Sequence, residues 1–567
     1  MKTISLGLIV LLMASSSYAQ TSPSITVTQE LQRQQERERE LRRQQEPSPD
    51  VRLPREAAPA AAETFPTQET PCFPISQITL TGDEEGRFAF ALKAVTGNPD
   101  SALGRCLGTQ GINVVLTRVQ NAIVARGFVT TRVLASSQDL KSGELVLTVI
   151  PGKVRGIRFA PDASPRATKW NAVPISSGEI LNLRDIEQGL ENLKRVPTAE
   201  ADIQITSAEG ADAQPGESDL VIQYQQAFPF RLALSADDSG SKSTGKYQGG
   251  LTVSYDNWWT LNDLFYVSLN HGLDKGDDPE RGTQGYSAHY SVPYGYWLLG
   301  VNTSRNSYYQ SVAGASQTYV YSGRSSNSDI KLSRLLYRDA ARKTTASFKG
   351  WVRSSNNYID DTEIEVQRRR MAGWEFGFAH REFIGTTTLD MTLGYRRGTG
   401  AMRALQAPEE AFDEGTSRLK LITTEVQLNQ PFMLAGQQLR YTSTWRGQWN
   451  RTPLVPQDRF SIGGRYTVRG FDGETVLSAE HGWLIRNDLG LALGESRQEF
   501  YLGADYGEVG GPSSELLLGR RLAGFVLGLR GGYKGLSYDV FAGQPISKPE
   551  RFVTAHTTAG FSVNWSY

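Results

Sequence analysis

From about Phe228 to Tyr567 apolar and polar residues alternate with a period of two. Phe230, Leu232 and Leu234 alternate with Arg231, Ala233 and Ser235; Leu251, Val253 and Tyr255 with Thr252 and Ser254; Phe265, Val267 and Leu269 with Tyr266 and Ser268. Gly, Asn, Asp and Ser separate these runs, as turns between strands require. An apolar-out, polar-in row is the pattern of a membrane β-barrel around an aqueous lumen. Residues 228–567, at roughly 20 residues per strand and loop, predict about 16 strands, an even number as in bacterial barrels. A large soluble β-sandwich or propeller is the rival, but blade repeats are missing. The final strand carries Phe561, Val563, Trp565 and Tyr567 on one side and Ser562, Asn564 and Ser566 on the other.

Upstream the period changes. In residues 75–152, Ile75, Ile78 and Leu80 mark a strand, and Ile112, Val115, Leu116, Val119 and Ile123 fall on one helical face. Gly127 to Val133 reads as a strand with Leu145 to Val149 beside it. Residues 153–227 repeat the theme, with a strand near Val154 to Phe159, a helix carrying Leu183, Ile186, Leu190 and Leu193, and strands near Ala201 to Thr206 and Leu220 to Gln226. Two small α+β domains are expected. Residues 47–74 hold seven of the 25 prolines and form a stiff, extended linker. Before it, in residues 20–46, Thr28 to Gln45 is helix-favouring throughout, with Glu36 and Arg39, and Glu38 and Arg42, at helical spacings. Only Leu31 and Leu41 are apolar there, so this helix has no stripe to bury and needs water or a polar channel around it. Residues 1–19 read as a secretory signal: Lys2, an apolar run from Leu6 to Met13, and Ser17-Tyr18-Ala19 as a cleavage site.

Composition narrows the function. Lys+Arg and Asp+Glu balance at 60 each, which argues against polyanion binding and hence against nucleic acid as partner. Gly is abundant at 56 residues and Tyr at 23, in keeping with a barrel. Two cysteines, Cys72 and Cys106, in an exported chain most simply form one disulfide. Gly240 to Lys246 fits the spacing of a phosphate loop, but Tyr247 follows where Ser or Thr must hold Mg²⁺. The five histidines lack metal-ligand spacing, and no GxSxG occurs. The chain therefore reads as a non-enzyme without cofactor or metal.

Residues Phe460 to Phe471 read FSIGGRYTVRGF. With Gly463-Gly464 before it and Arg486-Asn487-Asp488 after it, where the family usually has Arg-Asn-Glu, Val468-Arg469-Gly470-Phe471 resembles the VRGF/VRGY loop of the two-partner secretion transporters. These are the TpsB or hemolysin secretion/activation proteins, type V secretion barrels of the POTRA-barrel superfamily. The α+β halves resemble paired POTRA domains, through Gly127-Phe128-Val129-Thr130, Leu145 to Gly152 and Leu181 to Glu187.

The resemblance implies a helix plugging the pore, an inward-folded loop whose Arg469 pairs with Asp505 of a Gly503-x-Asp505 element on a lumen-facing strand, and a Cys72–Cys106 staple in the first POTRA. It implies that Phe561, Val563, Trp565 and Tyr567 present the signal read by the barrel assembly machinery. It places the protein in the outer membrane of a Gram-negative bacterium, with the POTRA domains in the periplasm. A monomeric pore would capture a large unfolded exoprotein at POTRA sheet edges and export it without ATP. The partner would be a hemolysin, a filamentous adhesin or a contact-dependent growth-inhibition toxin, which the transporter could also help activate. An assembly factor inserting other barrels, and a passive porin or barrel enzyme, are the alternatives.

Overall fold

The computed structural model describes residues 23–46, 49–53, 64–83, 85–97, 100–208, 212–274 and 280–567. The expected signal segment, 1–19, lies outside them, as does part of the linker.

Among the described residues, sixteen long antiparallel strands, from Phe230–Asp237 to Thr558–Ser566, close into a barrel, and the two-residue strand Thr362–Glu363 extends one hairpin. The last strand pairs with the first, Trp565 opposite Leu234 and Val563 opposite Ala236. Closure removes the open edges that would otherwise template aggregation. Burial along the wall is inverted relative to a soluble protein. Leu269, Ile330, Leu393 and Leu502 are each half exposed or more, whereas Ser254, Ser291 and Asp505 are at most 4% exposed. A wall with polar residues inside and apolar residues outside belongs in lipid.

Two α+β domains precede the barrel and share one topology. In the first, Gln77–Thr81 runs parallel to Glu144–Ile150, which pairs antiparallel with Arg132–Leu134. The helix Thr109–Ala125 packs Val115, Val119 and Ile123 onto this sheet. In the second, Lys153–Phe159 is parallel to Glu217–Gln226, which pairs antiparallel with Ala199–Ser207, under the helix Leu183–Lys194. The strand expected from Gly127 shrinks to Arg132–Leu134. Gly127 has φ 98°, and its carbonyl accepts from Leu183 N at 2.8 Å, so this stretch joins the two domains rather than lengthening the sheet.

Cys72 and Cys106 are joined in a disulfide, with Cα atoms 5.2 Å apart. Glu69, from the segment before it, caps the helix Thr109–Ala125 from outside. Its carboxylate accepts from the backbone N–H of Gly108, Gln110 and Gly111 at 2.7–3.0 Å.

The second domain is fixed beneath the barrel by polar contacts. Arg195 donates to Asn262 O, Ser291 O and Ser291 Oγ, and Asn192 donates to Gly295 O at 2.7 Å. These barrel turns therefore mark the end that carries the α+β domains.

Candidate functional site

The lumen is occupied by a helix, Pro23–Gln45, about 35 Å long at 1.5 Å per residue. Its contacts run the length of the wall. Near its start, Gln32 donates to Arg459 O at 3.2 Å and accepts from Ser461 Oγ at 2.9 Å, and Arg33 donates to Gly473 O. Midway, Ser325 reaches Gln34 and Asn306 reaches Glu38, each at 3.2 Å. Towards its end, Arg43 pairs with Glu425 at 2.8 Å, Arg42 with Asp329 at 3.6 Å, and Tyr266 donates to Glu46 at 3.0 Å. A helix without an apolar stripe thus sits in a tube lined with polar groups. Among the described side chains, Leu31 is its buried apolar contact, against Tyr308 and Tyr321.

Glu30 is fully buried. It accepts from Arg37 at 2.9 Å and from Thr244 Oγ1 at 3.0 Å. Thr244 belongs to the turn that imitates a phosphate loop, which instead folds onto the helix.

The segment between the strands Gln437–Asn450 and His481–Ala492 turns inward at the end opposite the α+β domains. Its two short strands, Phe460–Ile462 and Leu477–Ala479, pair with each other, and the VRGF tetrapeptide lies between them. Val468 and Phe471 are buried with Ile462, Leu477, Leu484, Val509, Leu522 and Phe552. The Phe471 and Phe552 rings meet edge-on at 5.8 Å. This apolar patch inside a polar lumen holds the loop to the wall.

Arg469, 5% exposed, is clamped by two strands. Its Nε and Nη2 donate to the two oxygens of Asp505 at 2.7 and 2.8 Å, and its backbone N–H donates to Asp505 Oδ2 at 2.9 Å. Nη2 also reaches Asp488 Oδ1 at 2.5 Å. The bidentate fork fixes orientation as well as charge. Arg530 donates to the other oxygen of Asp488 at 3.3 Å, and Arg486 stands 3.9 Å from Asp505. The carboxylates thus keep cationic neighbours besides Arg469.

Glycines make room for this approach. A Cβ at Gly503 would lie 2.6 Å from Arg469 Nη2, one at Gly524 only 2.0 Å from Arg469 O, and one at Gly470 2.5 Å from Gln544 O. Gly470 also takes φ 92°, which a side chain disfavours.

Of the residues singled out from sequence, Val468, Arg469, Gly470, Phe471, Gly503 and Asp505 meet at one place in the lumen. Cys72 and Cys106 lie far off in the first α+β domain. Phe561, Val563 and Trp565 lie on the closing strand, Trp565 and Tyr567 stacking at 6.3 Å. Sequence reasoning left out Glu30, Gly524 and Arg530, and it quoted Asp488 within the Arg486-Asn487-Asp488 motif without giving it a role at Arg469. The available signal for Asp488 was its place in the strand after the loop; Gly524 offered a glycine in an alternating strand.

Comparison with known proteins matches both the barrel and the α+β domains. Residues 216–531 match the family described as haemolysin secretion/activation protein ShlB/FhaC/HecB. Residues 73–152 match the ShlB-type POTRA domain and residues 153–207 a second POTRA domain. The chain is 36% identical over 556 residues to the outer membrane transporter CdiB-2 of Burkholderia pseudomallei, covering 94% of this chain and 93% of that protein. It is 25% identical over 459 residues to the hemolysin transporter protein ShlB of Serratia marcescens, covering 80% and 79%. The solved structure of CdiB from Acinetobacter baumannii superposes with a TM-score of 0.82 at 31% identity, over 96% of this chain and 98% of that one.

Proposed function

Since the chain belongs to the haemolysin secretion/activation family of ShlB, FhaC and HecB, we propose that its lumen site is a two-part closure, a removable helix and an anchored loop, on an export pore. The protein is a two-partner secretion transporter of the outer membrane, with its POTRA domains in the periplasm, and it exports a partner protein. The clamp of Arg469 between Asp505 and Asp488 is the observation that carries the loop's role. The loop is fixed to the wall by a buried ion cluster, while the helix beside it is held by scattered polar contacts. The helix leaves and the loop stays to line the path. The partner enters as a hairpin, and its folding outside draws it through without ATP.

The CdiB relatives favour a contact-dependent growth-inhibition toxin as that partner over a hemolysin or an adhesin. The pore works as a monomer, seated in lipid after insertion by the barrel assembly machinery, for which the strand bearing Phe561, Val563, Trp565 and Tyr567 is the signal. The test is co-expression with a large exoprotein of the contact-dependent growth-inhibition class. Partner should appear in the medium with this chain and stay in the periplasm without it. Equal secretion in both would overturn the assignment.

A further inference from the structure

The second POTRA domain carries a segment, Arg166 to Asn171, that is stapled to the barrel's periplasmic turns. Asn171 Nδ2 donates to Leu261 O and, at 3.2 Å, to Pro293 O, and Asn171 O accepts from Gly295 N at 2.8 Å. Asn262 Nδ2 donates to Thr168 O at 2.8 Å, and Arg166 and Asn257 exchange two bonds at 2.7 and 2.8 Å. Within this held segment Trp170 is left 64% exposed. A tryptophan so placed, on backbone fixed at both ends, has to be facing something.

Strand parity shows what. Along Arg281–Tyr294, His289 and Ser291 are buried toward the lumen, so Tyr290, Val292 and Tyr294 form the lipid-facing row. Tyr294 pairs with Trp297, and Tyr290 with Val301, in the same outward row. The Trp170 ring stands 6.0 Å from Tyr294, hence on the outer side of the wall. The neighbouring turn continues the band. Trp258 packs on the outward Tyr255 and Phe265, each at 5.2 Å, and Trp259 is 64% exposed.

Trp and Tyr collect at the membrane–water boundary, where one edge of the ring is apolar and the other wet. We infer that Trp170 extends the barrel's aromatic girdle onto the second POTRA domain and inserts into the headgroup layer of the periplasmic leaflet. The domain's orientation is then fixed by phospholipid as well as by the barrel turns.

The first comparison needs no exported partner. The two cysteines of the sequence are both in the disulfide, so Trp170→Cys, Tyr294→Cys and Glu200→Cys each offer one thiol for a nitroxide. The full chain is placed in nanodiscs of phosphatidylethanolamine and phosphatidylglycerol. Accessibility to oxygen is compared with accessibility to a water-soluble nickel complex. The label at 170 should match that at 294, with an oxygen-to-nickel ratio several-fold above that at 200, which sits on the strand Ala199–Ser207. A ratio at 170 equal to that at 200 overturns the inference. So does a label at 170 that stays open to nickel in nanodiscs but is protected when the partner's secretion domain is added, since that outcome makes this face a client site.

Discussion

At the scale of single residues, the decisive contact is one cation between two carboxylates. Removing the cation from a buried cluster costs about 3–5 kcal/mol where nothing replaces it. Here Arg486 and Arg530 remain beside Asp505 and Asp488, so the loss should fall on the loop's position rather than on the barrel. Arg469→Ala is expected to abolish partner secretion while the barrel stays inserted, measured as partner in the medium per membrane-inserted transporter. Asp505→Ala should do similar damage, and the swap of Arg469→Asp with Asp505→Arg should recover part of it. Gly524→Ala tests the same fit sterically. Its new Cβ would fall 2.0 Å from Arg469 O, so it should displace the loop and lower secretion with every charge intact. Wild-type secretion by both Arg469→Ala and Gly524→Ala would show that the anchored loop is dispensable. Arg469 and Asp505 could be paired from sequence because both lie in motifs. Gly524 could not, and Asp488 stood in a motif without a partner, since both meet the loop only through the register of three strands, which alternation alone leaves open.

At the scale of elements, the helix and the linker obey different rules. The helix Pro23–Gln45 is held by side-chain contacts that water can replace, with little apolar burial to lose among the described side chains. Deleting Thr28 to Gln45 should therefore raise single-channel conductance in planar bilayers several-fold and leave secretion measurable; unchanged conductance would mean the helix does not close the lumen. The polar, stripe-free pattern made an aqueous setting legible in the sequence. Which wall residues would face it was not, because its partners come from strands spread around the whole barrel. Glu69 is a second such case, a cap supplied from outside the helix it serves. Burial alone would raise its carboxyl pKa, but the N–H groups of Gly108, Gly111 and Gln110 prevail and hold it below the usual range. A carboxyl depressed on folding stabilises above its unfolded pKa and loses that contribution as pH falls through its folded one. Glu69→Gln should therefore lower the first POTRA's stability at neutral pH by about 1 kcal/mol, as lost helix caps do. It should also flatten the domain's acid unfolding below about pH 4.5. Identical denaturation curves at pH 7 would remove the cap from the account.

At the scale of the whole molecule, the barrel's strand number followed from length and period. The joints between its parts did not, because they depend on which turns meet which helix. The disulfide serves one part only. It closes a loop of 34 residues, a constraint worth about 3–4 kcal/mol, so reduction should lower the first POTRA's melting temperature and leave the barrel's heat-modifiability on gels unchanged. Arg338, at the end of the barrel strand Thr318–Arg338, serves several parts at once. Its side chain, 3% exposed, bonds Glu187 at 3.0 Å and Glu191 at 2.9 Å on the second POTRA's helix, and it donates to Val51 O of the linker. Val51 N and Leu53 N donate to the same two carboxylates, and Lys343 joins Glu191 to Asp50. Barrel, POTRA and linker thus share one ion cluster, and the linker leads directly to the helix in the pore. Arg338→Ala should loosen all three together. The distance distribution between spin labels on the second POTRA and the barrel should broaden, and spontaneous openings in bilayers should become more frequent. Arg342→Ala is the control, because Arg342 is half exposed and pairs with Asp339 in its own turn. A broadened distribution without added openings would separate the domain joint from the helix. No change in either would show that the cluster merely accompanies a contact held by Arg195 and Asn171.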